Sequence, residues 1–130
     1  MNGHILIVDD NPINLKLVSE ILLASGYTIS SAGNADQAQQ SLVALLPDLI
    51  LMDIALPGMD GLSLTRTIKA DSRLSHVPVI ALTAFAMQGD DRKAADAGCD
   101  GYITKPIDTR KFVSQVTAIL ESARARQREP

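Results

Sequence analysis

Leu49-Ile50-Leu51-Met52-Asp53-Ile54-Ala55-Leu56-Pro57-Gly58 is the stretch on which the fold turns. Four apolar residues run into a carboxylate, and a Pro-Gly turn signal follows. An apolar run this short, bounded by turn residues, suits a strand buried on both faces. Asp53 then stands where that strand leaves the sheet. In open α/β sheets, ligands bind at the carboxyl ends of the strands.

Working outward, Ile5-Leu6-Ile7-Val8 is a second apolar run, closed by Asp9 and Asp10. Asn11-Pro12 reads as an N-cap with proline at the first helical position. Leu15, Val18, Ile21 and Leu22 recur at helical spacing, and Gly26 is placed to stop that helix. Thr28 to Ala32 is a shorter, more polar strand, expected near a sheet edge. Asn34 caps a helix expected to run to about Leu46, with Ala35, Ala38, Leu42 and Leu45 on one face and Pro47 closing it. Gly61 opens a third helix ending near Ala70-Asp71. Pro78 to Thr83 is a buried strand closed by a hydroxyl. A helix follows from about Gln88 to Ala97, with Gly98 as its stop. Gly101 to Thr104 is a short strand closed by Lys105-Pro106. Asp108 or Thr109 caps a last helix with Phe112, Val113, Val116, Ile119 and Leu120 on its apolar face. Strand and helix alternate five times, which predicts a doubly wound, five-stranded parallel sheet with helices on both faces. Pattern alone does not choose the strand order.

Composition narrows the function. At 130 residues, with 46% hydrophobic and 21% charged residues, the chain has the make-up of one globular domain. A net charge of −3 argues against general binding to nucleic acid or to an anionic membrane. Cys99 is alone, so no internal disulfide forms and a reducing compartment is expected. No apolar run reaches membrane-spanning length. The first residues lack a signal-peptide pattern, and a cytoplasmic location is the expectation.

All strands of a parallel sheet finish at one edge. Here that edge receives Asp9, Asp10, Asp53, Thr83 and Lys105. Each alone has a structural explanation, as a cap, a strand exit, a β-branched strand residue or a surface lysine. Their convergence on one crevice is the functional signal. Carboxylates crowded together repel by about 4 kcal/mol per pair at ~4 Å and an effective dielectric of ~20. One lysine cannot neutralise three of them. A hard divalent cation on oxygen ligands can, and Mg²⁺ also coordinates phosphate. Phosphoryl transfer asks mainly for positioning and charge neutralisation. Asp53 is therefore the candidate nucleophile, needing no general base because a carboxylate is already ionised at neutral pH. Other candidates are weaker. His4 and His76 are far apart in sequence for a zinc site, and Cys99 reads as a buried small hydrophobe.

These residues resemble the receiver domain of two-component response regulators, the CheY-like family, over about residues 3–121. The motifs are Ile-Leu-Ile-Val-Asp9-Asp10-Asn, Leu-Met-Asp53-Ile-Ala-Leu-Pro57-Gly-Met-Asp-Gly61, Ala-Leu-Thr83-Ala84 and Gly-Tyr102-Ile-Thr-Lys105-Pro106. The resemblance implies a flavodoxin-like sheet of order 2-1-3-4-5. It implies Asp53 as phosphoacceptor and one Mg²⁺ ion on Asp10 directly, Asp9 largely through water, Asp53 and the Ala55 carbonyl. Thr83 is implied as the switch hydroxyl, Lys105 as the phosphate-pairing ammonium, Tyr102 as the switch aromatic and Ala84 as the small neighbour of the phosphoryl group. A cis Lys105-Pro106 bond is implied as well. Ala55 and Phe85 occupy the positions that tune dephosphorylation in the family. Both are apolar, so slow self-hydrolysis is expected. The implied donor is a phosphohistidine on a sensor histidine kinase or phosphotransfer protein. The implied output is protein docking on residues 86–120.

On this reading, residues 1–121 form the receiver and 122–130 a helical extension or tail carrying Arg124, Arg126 and Arg128. No effector domain is expected to follow. Stand-alone receivers of the DivK kind are the most similar, and a receiver excised from a hybrid kinase or larger regulator looks alike. An Mg²⁺-dependent aspartyl phosphohydrolase is the competing enzyme class. It usually needs an acid/base carboxylate two residues after its nucleophile, where this chain has Ala55. A receiver that binds partners without phosphate is the third possibility.

Overall fold

The computed structural model describes residues 3–54, 61–83, 90–105 and 107–128. Within them five strands and five helices alternate: β1 (His4–Val8), α1 (Pro12–Ala24), β2 (Thr28–Ala32), α2 (Ala35–Ala44), β3 (Leu49–Asp53), α3 (Gly61–Ala70), β4 (Val79–Thr83), α4 (Asp90–Ala97), β5 (Gly101–Thr104) and α5 (Thr109–Arg128). The strands are all parallel, in the order β2-β1-β3-β4-β5. β3, at the centre, is buried at every position, as is β4. β2, the polar strand, lies on an edge.

Strand residues alternate between two faces, and the core divides accordingly. Leu6, Val8, Ile50, Met52 and Val79 pack with Leu42 of α2 and Leu64 and Ile68 of α3. Ile5, Ile7, Leu49, Leu51, Ile80 and Leu82 pack with Val18 and Leu22 of α1 and with Phe112, Val116 and Leu120 of α5. Near-continuous apolar strands are required because both faces of the sheet are covered.

Local signals set the helix ends. Asn11 caps α1 by accepting from Ile13 N (2.9 Å) and Asn14 N (3.3 Å), with Pro12 at the first helical position. Gly26 takes the left-handed conformation (φ 97°) that turns the chain toward β2. Asp108 caps α5: its Oδ1 accepts from Arg110 N at 3.0 Å, and Lys111 N and Phe112 N bond its carbonyl.

Two details differ from expectation. α2 stops at Ala44, and Leu45, expected on its buried face, is an extended C-cap residue, 52% exposed. Pro47 biases Leu46 away from helical backbone, and the helix unwinds before reaching it. His4, expected ahead of β1, is its first residue. It pairs with Thr28 across the sheet, and its ring nitrogens bond the hydroxyls of Thr28 (2.9 Å) and Ser30 (2.7 Å). No helix among the described residues is long and apolar enough to cross a membrane.

Candidate functional site: a carboxylate cluster at the sheet edge

β1 and β3 are neighbours in register, with Val8 opposite Met52, so Asp9 and Asp53 leave the sheet side by side. β4 and β5 end together beside them, Thr83 opposite Thr104, and the Lys105 N–H donates to the Thr83 carbonyl (2.6 Å). The chain therefore delivers Asp9, Asp10, Asp53, Thr83 and Lys105 to one edge. Carboxylate oxygens of Asp9, Asp10 and Asp53 all lie within 4.8 Å of one another. Asp9, Asp53 and Thr83 are buried, whereas Asp10 is exposed.

Lys105 Nζ reaches across the cluster, 3.1 Å from Asp9 Oδ2 and 3.3 Å from Asp53 Oδ2. Burial alone would lower this ammonium. The charges of Asp53 and Asp9, with the hydrogen bonds both accept, outweigh it and hold the group above its ordinary value of 10.5. One cation facing three carboxylates leaves a net negative site. Its donor set is entirely hard oxygen, which suits Mg²⁺ or a similar divalent cation.

Asp9 has further partners. The Asn11 N–H donates to its Oδ1 at 2.9 Å, and the side-chain amide of Asn14 donates to its Oδ2. Asn14, third residue of α1, has no place among the expected site residues. The signal was available, since a helix starting three residues after a strand-end carboxylate turns its third residue back toward that carboxylate.

Gly61 opens α3 against β3. A Cβ there would lie 2.2 Å from the Asp53 carbonyl oxygen and 2.7 Å from Ile54 Cα. Tyr102, half-buried, pairs with Ala81 two residues before Thr83. It therefore shares a sheet face with the Thr83 hydroxyl. Ala55, Ala84, Phe85 and the Lys105-Pro106 bond fall outside the described residues, as does part of the expected 86–120 surface. Among the other candidates, Cys99 packs half-buried against the α2–α3 core, and burial pushes its thiol up. His4 and His76 lie outside the carboxylate group.

Comparison with known proteins gives a consistent picture. The family described as response regulator receiver domain matches residues 5–117. The polar-differentiation response regulator DivK of Brucella anthropi is 43% identical over 123 residues, covering 95% of this chain and 100% of that relative. Among solved structures, the receiver domain of the sensor histidine kinase PA1611 of Pseudomonas aeruginosa PAO1 has a magnesium ion coordinated in its active-site cleft. It superposes with a TM-score of 0.84 at 36% identity, over 93% of this chain and 99% of that one. The Vibrio cholerae chemotaxis protein CheY4 shares the fold, with a TM-score of 0.86 at 21% identity over 92% of this chain and 99% of that one.

Proposed function

The chain belongs to the response regulator receiver domain family, and from that premise we propose that Asp53 is its phosphoacceptor. The domain is a phosphoacceptor module of two-component signalling. The observation that carries it is the carboxylate group of Asp9, Asp10 and Asp53 bridged by Lys105.

An Mg²⁺ ion held by Asp9, Asp10, Asp53 and the Ala55 carbonyl would supply charge neutralisation and an anchor for a phosphoryl oxygen. Asp10, being exposed, is the carboxylate with most room to hold such an ion, and Asp9, buried among donors, would contribute its charge. The Asp53 carboxylate attacks phosphorus of a phosphohistidine. The P–N bond breaks as the P–O bond forms, and the departing imidazole takes a proton from solvent. Lys105 turns from the carboxylates to the new phosphoryl oxygens. Thr83 donates its hydroxyl to another. Thr83 and Tyr102 share a face of adjacent strands, so movement of one biases the other. The change is a shift between two packings of the 86–120 surface, which docks a downstream protein.

The protein thus catalyses only its own phosphorylation and dephosphorylation. Its donor is a sensor histidine kinase or phosphotransfer protein, and its compartment is the cytoplasm. The receiver takes in residues 1–121, with 122–130 as a helix extension or tail, and its sequence is of the DivK kind. Acetyl phosphate with Mg²⁺ tests the reading by mass spectrometry. Wild type gains one phosphoryl group and Asp53→Asn gains none. Unmodified wild type, or equal labelling of the variant, overturns it.

A further inference from the structure

Asp9 is fully buried, and three donors hold it. Its Oδ1 takes the Asn11 N–H, while its Oδ2 is shared by the Lys105 ammonium and the Asn14 amide. The two donors to Oδ2 differ in kind. Lys105 is a long, flexible side chain that also serves Asp53. Asn14 is short, and its own backbone N–H is pinned by the Asn11 cap on the first turn of α1. A divalent cation reaching the cluster would repel the Lys105 ammonium, and a phosphoryl group would draw it away from the carboxylates. A buried carboxylate oxygen stripped of its donors is costly. Asn14, fixed on the first turn of α1, would stay with Asp9 in that case.

We infer that Asn14 is a positioning residue. Its amide holds Asp9 Oδ2 and so releases Lys105 from Asp9 when charge arrives at the site. The inference rests on the proposed reading of the cluster. Unlike an ion pair, the Asn14 contact is neutral, so it satisfies the carboxylate without competing for positive charge. Asn11, the other local donor, serves Oδ1 and cannot take over.

The test is Mg²⁺ binding by titration calorimetry on the unphosphorylated full chain, with thermal unfolding run alongside. Asn14→Ala should weaken Mg²⁺ binding about tenfold, the low end for losing a group that orients a metal ligand. In the Lys105→Ala background the lysine never holds Asp9, so there the same substitution should cost less than about twofold. Asn14→Leu keeps the side-chain shape, removes the donor and should reproduce both values. It stands in should the alanine chain fail to fold. A merely structural asparagine would give the same loss in both backgrounds, and that result, or no loss in the wild-type background, overturns the inference alone. Wild type that binds no Mg²⁺ removes the reading of the cluster, and the inference with it.

Discussion

Lys105 is the residue on which the resting site depends. Its side chain is 18% exposed and touches two carboxylates that are themselves buried. Lys105→Met in metal-free buffer should lower stability by about 1–3 kcal/mol, the range for leaving buried polar groups without a partner, read from urea unfolding. Millimolar Mg²⁺ should recover much of that loss, because a ligand of the folded state stabilises it by mass action. The pH dependence has a definite sign. The folded-state pKa of Lys105 is raised above 10.5, so its stabilisation is complete below 10.5 and lost as pH climbs through the raised value. The gap between wild type and variant should therefore close in strong alkali. On the proposed reading, Phe85 bears on a different step. Phe85→Glu should shorten the lifetime of the Asp53 phosphate, followed by loss of label after the donor is removed, because a carboxylate there can orient water. An unchanged lifetime would reject that role. The strand-end carboxylates, Thr83 and Lys105 were legible from their positions after apolar runs. Asn14 was not recognised, because a lone polar residue in a first helical turn reads equally well as solvated surface.

At the scale of elements, the junction of α3 with β3 is a close fit. Gly61→Ala would push a Cβ into backbone atoms of Asp53 and Ile54, which cannot swing aside as a flexible side chain can. A destabilisation of about 1–3 kcal/mol is expected from such overpacking, together with slower acetyl phosphate labelling as Asp53 shifts. Unfolding curves and labelling kinetics on one preparation check both. α1 does two jobs. Its inner face carries Val18 and Leu22 into the core, while Ile13 (80% exposed) and Leu17 (40% exposed) present apolar surface one turn apart, beginning four residues after Asp9. Such a stripe suits contact with a protein donor. Ile13→Asp should slow phosphotransfer from a phosphohistidine protein by about tenfold, the worth of a buried apolar anchor at an interface, and leave labelling by acetyl phosphate unchanged. Equal rates with the protein donor would reject the contact. Helix starts were readable because Asn11, Asn34 and Asp108 are side-chain caps. The end of α2 was less so, since no glycine marks it and Leu45 is apolar yet exposed.

Over the whole molecule, α5 is the element that spans most. Phe112 and Val116 seal the face of the sheet behind the site, while its last turns bury Ala123 and bring Arg126 to within 3.7 Å of Asp100 at the foot of β5. A chain ended at residue 121 should fold and accept phosphate yet lose about 1–2 kcal/mol, from a small buried side chain and an exposed ion pair. Its thermal midpoint should fall by several degrees; an unchanged midpoint would make the last turns a dispensable tail. The sequence by itself determined the alternation of apolar strands with capped helices, the parallel class that follows, and the polar residues closing four of the five strands. Those features are written in neighbouring residues, through the two-residue and 3.6-residue periods of burial. The strand order 2-1-3-4-5, implied by the family resemblance and not by pattern, is the one observed; only the tertiary structure decided that Asp9 is buried while the adjacent Asp10 is exposed, and that Lys105 bridges Asp9 and Asp53. Lys105 lies 96 residues from Asp9 and 52 from Asp53. Contacts at that separation arise when both faces of the sheet are covered at once, and no local pattern encodes them.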